Sequence, residues 1–366
     1  MSNIQQSATI AELAGKIEAD IRQRGLRSGD HYLTTAETAR MLHAGTAPTT
    51  QALQLLVKRR VIQRKQRVGT VVGKDFDAES EGPELKRVHV LMYDHHLIEE
   101  GIFTTDSLFG LQNALPGTHV TFDFVPLSAH EEERYLREII SEAMGRRRSE
   151  GFILFNSTVQ IQMAFRDTGL PTVVAGSLYA SSQGLSCIDR DQLQLGRLLA
   201  NYLLSKGHRK ILMITRQRPG LGAGDYRVAD AIAEIASSAG LSANALIVRS
   251  LPHDPKIVRG EIQHFLETCD DLPGILLRPW QMIEPIYEAI EAAGLTPQKD
   301  VAVAVADYFQ GPSSKPLPYP AIRSTMTPED QGFQWGQLLL ESSRSGSSNS
   351  KSVLVPVRLE IPDELS

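Results

Sequence analysis

Cysteine is scarce in this chain: Cys187 and Cys269 are the two among 366 residues. They stand far apart and match neither a zinc spacing nor a disulfide framework, so a metal-stapled or disulfide-built fold is not expected. Reduced, buried thiols in the cytosol are the expectation. Long apolar runs are missing too. No stretch approaches the roughly 20 residues that a membrane-spanning helix needs. Met1–Gln6 is polar, without a basic start or an apolar core, so no signal peptide and no membrane contact are expected. Catalytic signatures are absent as well: no G-x-S-x-G, no Walker loop, no pair of acids beside a base. The run Pro219–Asp225 resembles a phosphate-binding turn but places Asp225 where the last glycine should stand. It reads better as a loop. His95 and His96 are adjacent, point opposite ways on an extended chain, and have no ligand cluster in the sequence around them. No metal, no cofactor and no enzymatic activity are expected.

What remains is an ordinary globular composition, 42% hydrophobic and 22% charged, long enough for two domains. The net charge of −5 hides an asymmetry. Residues 1–76 hold 12 Lys+Arg against 6 Asp+Glu, a balance of +6, which leaves −11 for the remainder. A basic head on an acidic body suggests that only the head meets a polyanion.

The stretch Leu33–Val72 carries the head. Before it, Ile10, Leu13, Ala14, Ile17 and Ile21 follow the 3.6-residue period of an amphipathic helix that Gly25 stops. Thr34 or Thr35 caps a second helix with Glu37 or Thr38 in its first turn, burying Ala39 and Leu42 and exposing Arg40. After the turn His43-Ala44-Gly45, a third helix is predicted from about Pro48. Its inner face would be Ala52, Leu53, Leu56 and Val57; Thr49, Thr50, Gln51, Gln54 and Lys58 would face outward. Arg59 and Arg60 lead into a ribbon, Arg64-Lys65-Gln66-Arg67-Val68-Gly69, in which Gly69 permits the turn. Helix, turn, helix and basic hairpin together predict a winged helix-turn-helix, which places one helix in a DNA groove. Thr35, Arg40, Thr46, Thr49, Thr50, Gln51, Gln54, Lys58, Arg64, Lys65, Arg67 and Gly69 are the candidate DNA contacts.

Residues 8–73, with the turn Gly25-Leu26-Arg27-Ser28-Gly29 and the wing Gly69-Thr70-Val71-Val72, resemble the GntR family of bacterial transcription regulators. The chain departs from that pattern at Thr34-Thr35, where the family has Pro-Ser. It departs again at Gly45, Thr46, Thr50 and Gln51, where the family has Ser-Arg and further arginines, and at Arg67, where a glycine is frequent. Arginine forks are the commonest contact to guanine, so these departures shift base reading to Gln51, Gln54 and the wing.

Residues 74–86, with their acids and Gly82-Pro83, read as an exposed linker. Beyond it, short apolar runs alternate with amphipathic stretches. Strands are predicted at Val88–Tyr93, Val120–Val125, Gly151–Phe155, Pro171–Ala175, Lys210–Thr215, Ala245–Arg249, Gly274–Leu277 and Val301–Ala306, with helices between. Such βαβ units predict two doubly wound lobes with parallel sheets, whose ligands bind beyond the carboxyl ends of the strands, in the cleft between lobes. Arg146–Arg148 reads as a solvated helix end, Ser342–Ser352 as a flexible low-complexity segment, and Val353–Ile361 as a last strand.

From Arg87 to Ile361 the chain resembles the sensor of LacI-type repressors, which is similar to periplasmic sugar-binding proteins. The runs that carry the resemblance are Asp191–Gly196, Lys206–Ile211, Arg227–Asp230 and Asp300–Asp307. It implies Arg227 as a clamp on ligand hydroxyls or carboxylate, a role suited to a planar fork. Asp307 is implied as an acceptor for sugar hydroxyls. Tyr93, Asp94, Phe103, Asp106 and Asn156 fall on the first pocket wall, and Trp280 replaces an acid usual after Leu277, so it stacks on a ring or simply packs.

The expectation is therefore an α/β chain: a winged helix-turn-helix at 1–74, a linker at 75–86, and a two-lobed, periplasmic-binding-protein-like sensor at 87–366. The arrangement implies a cytoplasmic transcription regulator, a repressor by resemblance. It would be a homodimer on a two-fold symmetric double-stranded DNA operator, controlled by a small molecule such as a sugar. A second reading keeps the ligand-binding half and gives the head no role beyond assembly.

Overall fold

The computed structural model describes residues 10–58, 61–65, 69–73, 76, 85–94, 105–145, 149–217, 222–307, 317–345 and 350–365. The chain divides into two compact units. Met1–Asp94, Ser107–Ile188 and Gln331–Val353 form the first; His95–Asp106, Asp189–Asp330 and Leu354–Ser366 form the second.

The first unit begins with helix α1 (Ile10–Gln23), which Gly25 stops at φ 66°. Its Leu13, Ala14, Ile17 and Ile21 are buried in one core with Ala52, Leu53 and Leu56 of α3 (Thr46–Lys58). Helix α2 (Thr35–Met41) has a full capping box. The Glu37 carboxylate accepts from Thr34 N and Oγ1 at 2.8 and 2.7 Å, and Thr34 Oγ1 accepts from Glu37 N. The α2–α3 turn is left-handed at His43 (φ 50°), not at Gly45.

Helix α3 starts two residues before the predicted Pro48. The buried stripe is Thr49, Ala52, Leu53 and Leu56, spaced i, i+3, i+4, i+7. Val57 falls outside it and is 37% exposed, contrary to the sequence expectation.

Strands β1 (Ile62–Lys65) and β2 (Gly69–Val72) pair antiparallel, with Lys65 opposite Gly69, and Gly69 sits at φ 97°. Their third partner is absent from the expectation drawn from the sequence. His31 bridges to Val71, and Tyr32 N donates to Thr70 O at 2.9 Å. Phe76, expected in the linker, is buried in the helical core, with the Arg22 guanidinium 5.4 Å from its ring centre. Leu85 at the other end of that segment is buried too; residues 77–84 lie outside the described residues.

The remainder of the first unit is a six-stranded sheet. Its strands are β3 (Arg87–Met92), β4 (His119–Phe124), β5 (Glu150–Phe155), β6 (Thr172–Ala175), β7 (Ser186–Arg190) and β13 (Ser352–Val355). The order is β13-β7-β6-β5-β3-β4, and the β4–β3, β3–β5, β5–β6 and β6–β7 pairs are parallel. Helices α4 (Thr105–Ala114), α5 (Ala129–Gly145), α6 (Val159–Arg166) and α11 (Pro328–Ser345) accompany it. Strand β5 is buried along its whole length, as a parallel strand covered on both faces must be.

Helix α11 is a correction to the sequence reading. Ser342–Ser345, predicted flexible, are its last turn, and Ser343 is buried with its hydroxyl on Leu340 O at 2.8 Å. The two glycines Gly332 and Gly336 press against α4: an added Cβ would run into Ser107 O or Ala114 Cβ. The predicted single strand Val353–Ile361 is two strands, β13 and β14 (Val357–Glu360), in different sheets. They break at Pro356, which has no N–H to give a ladder.

The second unit holds β8 (Ile211–Arg216), β9 (Leu246–Leu251), β10 (Gly274–Pro279), β11 (Val303–Asp307), β12 (Ala321–Ser324) and β14, in the order β14-β12-β11-β10-β8-β9. All pairs are parallel except β12–β14. Helices α7 (Gln192–Ser205), α8 (Ala223–Ser238), α9 (Pro255–Thr268) and α10 (Ile283–Ala292) complete it. Alternate residues feed two cores: Leu212, Ile214, Ile275, Leu277, Val303 and Val305 into one, Ile211, Met213, Leu276, Ala302, Ala304 and Ala306 into the other. That period of two shows both faces of the sheet covered, the doubly wound pattern.

Candidate functional sites

The first candidate surface is on the head. Exposed on α3 are Thr46, Gln51 and Gln54, as predicted, together with Ala47, which the sequence reading passed over. Thr50 is half-buried, its hydroxyl donating to Thr46 O at 2.8 Å. Thr49 is fully buried and is withdrawn as a DNA contact: it sits on the inner stripe, and its hydroxyl bonds Gly45 O at 2.8 Å. Arg40 is exposed on α2. On the hairpin, Arg64 is exposed and its guanidinium donates to Thr35 Oγ1 at 3.2 Å, tying the wing to the start of α2. Gly69 is exposed in the second strand. The side chains of Lys58 and Lys65, and Arg67 altogether, lie outside the described residues.

The second candidate surface is the carboxyl edge of the first unit's sheet. Tyr93 follows β3, is 8% exposed, and donates its hydroxyl to Glu132 of α5 at 2.5 Å. Burial first, then the bond to Glu132, push its phenol well above the ordinary range, so it stays a neutral donor. Asp94 is exposed beside it. Asn156 ends β5 in the left-handed region (φ 44°), its backbone N–H on Ala175 O at 3.0 Å. Gly176 ends β6 at φ 135°, and a Cβ there would stand 3.0 Å from Asn156 Oδ1. Non-glycine residues held at positive φ cost energy and concentrate at working sites. Gln162 of α6 is fully buried, donates to Ser157 Oγ and Ser177 O, and accepts from Tyr179 N, so it fixes the loop after β6. The sequence reading missed Glu132 and Gln162, whose partners are distant in the chain. Asp106 is half-buried in the first turn of α4, and Phe103 lies outside the described residues.

The third candidate surface is the carboxyl edge of the second unit's sheet. Its centre is Arg278 near the end of β10, 8% exposed. Its Nε faces Asp225 Oδ1 at 2.9 Å, and its Nη1 donates to Gln192 Oε1 at 2.9 Å. Gln192 in turn donates to both carboxylate oxygens of Asp189 at 3.0 and 3.2 Å. Arg190 donates to Ala306 O and Arg216 to Gln281 Oε1, at 3.3 and 3.0 Å. Arg227 stands half-buried on α8. Asp307 pairs in register with Pro279, and its side chain lies outside the described residues. Trp280 is partly buried and packs on the core that contains Leu277 and Met282. Of its two sequence readings, packing is the one this contact supports. The sequence points to no role for Arg278, because a single chain of letters does not show that Asp225 and Gln192 converge on it.

This architecture is shared with known proteins. The transcriptional regulator CelR in complex with cellobiose superposes with a TM-score of 0.62 at 15% identity, over 97% of this chain and 98% of that one. A LacI family transcriptional regulator from Enterococcus faecium with bound ribose gives 0.56 at 18% identity, over 75% and 97%. The transcription regulator GntR from Chromobacterium violaceum gives 0.59 at 17% identity, over 75% and 97%. The fold is that of LacI-type regulators. No family model matches the chain, and no curated protein matches its sequence.

Among the described residues no group of three or more His, Cys, Asp or Glu is placed to hold a metal, and no helix is long and apolar enough to cross a membrane. Both cysteines are free; Cys187 is buried and Cys269 half-buried.

Proposed function

We propose that this chain is a DNA-binding transcription regulator, a repressor, whose operator affinity is set by a sugar or similar polyhydroxylated metabolite bound at the carboxyl edges of the sensor sheets. The supporting observation is that one chain combines three helices and a hairpin, displaying an exposed polar face on α3, with two largely parallel sheets whose carboxyl ends gather buried, hydrogen-bonded polar side chains. The full-length likeness to a regulator in complex with cellobiose supports the same pairing of parts.

The head is proposed as a GntR-type winged helix-turn-helix, with α3 in the major groove and the wing, through Arg64, on phosphates. The protein acts as a homodimer on a two-fold symmetric operator, since one small module makes too few base contacts for useful specificity. Tyr93, Asp94, Asn156 and Arg227 are the proposed effector contacts. Hydroxyl, carboxylate, amide and guanidinium groups of this kind recognise a ring bearing several hydroxyls.

The test is a thermal-shift screen of sugars on the full chain. A ligand at 100 times its dissociation constant stabilises by about 2.7 kcal/mol. Arg227→Ala should abolish the shift. An unchanged shift removes Arg227 from the site, and no shift with any sugar removes the sugar reading.

A further inference from the structure

The proposal that α3 enters a major groove leaves open what it reads there. Thr46, Ala47, Gln51 and Gln54 are exposed and Thr50 is half-buried; the five are spaced i, i+1, i+4, i+5 and i+8 on one side of the cylinder. The chemistry of that stripe is narrow. Across the helix sequence TAPTTQALQLLVK the single charged residue is Lys58, at its last position. Thr50 has committed its hydroxyl to the Thr46 carbonyl at 2.8 Å, so what it turns outward is its methyl group. Thr49 has turned inward and bonded Gly45 O. Ala47 adds a second outward methyl, and Gln51 and Gln54 supply two primary amides.

Two methyls and two amides, with no charged residue in the sequence between Thr46 and Gln54, match one kind of base pair. A primary amide pairs bidentately with adenine N6 and N7, and a methyl packs on the thymine C5-methyl, whereas guanine O6 and N7 call for the double donor of an arginine or lysine. From Thr46 to Gln54 the helix rises about 12 Å, which spans roughly four base-pair steps. We infer that α3 reads a half-site core of about four A·T-rich base pairs through the major groove. Gln51 and Gln54 lie on adenines, and the Ala47 and Thr50 methyls lie on thymine methyls. This rests on the DNA-binding reading above and adds the sequence class to it.

The experiment is selection of bound duplexes by the full-length protein from a random library at low salt. It is followed by competition with two modified versions of the recovered site. Deoxyuridine in place of thymidine removes only the C5-methyl, and 7-deazaadenine removes only N7, so neither changes Watson–Crick pairing. The inference expects an A·T core and a loss of affinity with both modifications. Gln51→Ala is expected to lose roughly 5- to 150-fold of discrimination at one position. Gln51→Arg is expected to move that position toward G·C. A G·C core, or an A·T core indifferent to both modifications, overturns the inference while DNA binding stands. Failure to bind any duplex at low salt overturns the DNA-binding reading and this one with it.

Discussion

Charged side chains inside a fold are tolerated only with partners, and two places show this at the scale of single residues. Arg278 is held by Asp225 and Gln192, and Asp225 also accepts from Gly222 N at 3.1 Å at the start of α8. Removing the guanidinium leaves a largely buried carboxylate and a buried amide short of a partner. Arg278→Met should cost about 3 kcal/mol or more of unfolding free energy in denaturant titration, with Asp225→Asn in the same chain recovering part of it. A cost below about 1 kcal/mol would mean that the pair does not hold β10 to α8.

His89 is the second place. It stacks on Phe152 (4.9 Å, 13°), with Nδ1 at 2.8 Å from Asp123 and Nε2 at 3.4 Å from Glu150. Burial pushes the Asp123 pKa up, but the His89 bond and charge, the Thr121 hydroxyl and the charge of Arg87 outweigh it and hold the carboxyl below its ordinary value. The nearby Tyr135 phenol is pushed up to about 12, by burial first and the Asp123 charge second, and stays neutral. A depressed folded pKa contributes stability that is present above the unfolded value and lost as pH falls through the folded one. Asp123→Asn should therefore lower stability at neutral pH and flatten its fall below about pH 4, read by thermal melts across an acid series. Parallel acid limbs for the two proteins would contradict it.

Secondary elements respond to glycine in opposite ways at two positions. Gly260 lies in α9 with nothing near an added Cβ, so Gly260→Ala should stabilise by about 0.5–1 kcal/mol through lower chain entropy and better helix propensity. Gly332 lies in α11 against the Ser107 carbonyl, so Gly332→Ala must push α11 off α4 and should cost several kcal/mol or prevent folding. Chemical denaturation of both variants checks the pair.

The same contrast explains what could be read from letters. Strands β5, β8 and β10 carry continuous apolar runs, Phe152–Phe155, Ile211–Ile214 and Ile275–Leu277, buried throughout, and such runs are visible without neighbours. Strand β12 shows only Ala-Ile before Arg323, and β7 only three buried residues before Asp189, too little for a pattern. Helix α11 ends in serines that look like a linker, and its close fit on α4 through two glycines is a tertiary fact. Among the candidate contacts, Thr49 went wrong because it lies three, four and seven residues before Ala52, Leu53 and Leu56 and so shares their buried face. Arg278 was missed because its partners, Asp225 and Gln192, come from two other elements.

The whole molecule joins a head of net +6 to a body of −11. Polyanion binding by such a chain should weaken steeply with salt, and Arg64→Ala should weaken it on all duplexes alike and make the salt slope shallower by about one unit. Under the proposed function, control of the head by the sensor would be a coupling free energy. Typical couplings of 1–3 kcal/mol correspond to about 5- to 150-fold in affinity, and they are reciprocal. The most direct test titrates the selected duplex into full-length protein with and without a saturating sugar identified by thermal shift, then titrates the sugar with and without the duplex. The account predicts the same fold-change in both titrations. A sugar that binds tightly and leaves duplex affinity unmoved would contradict it.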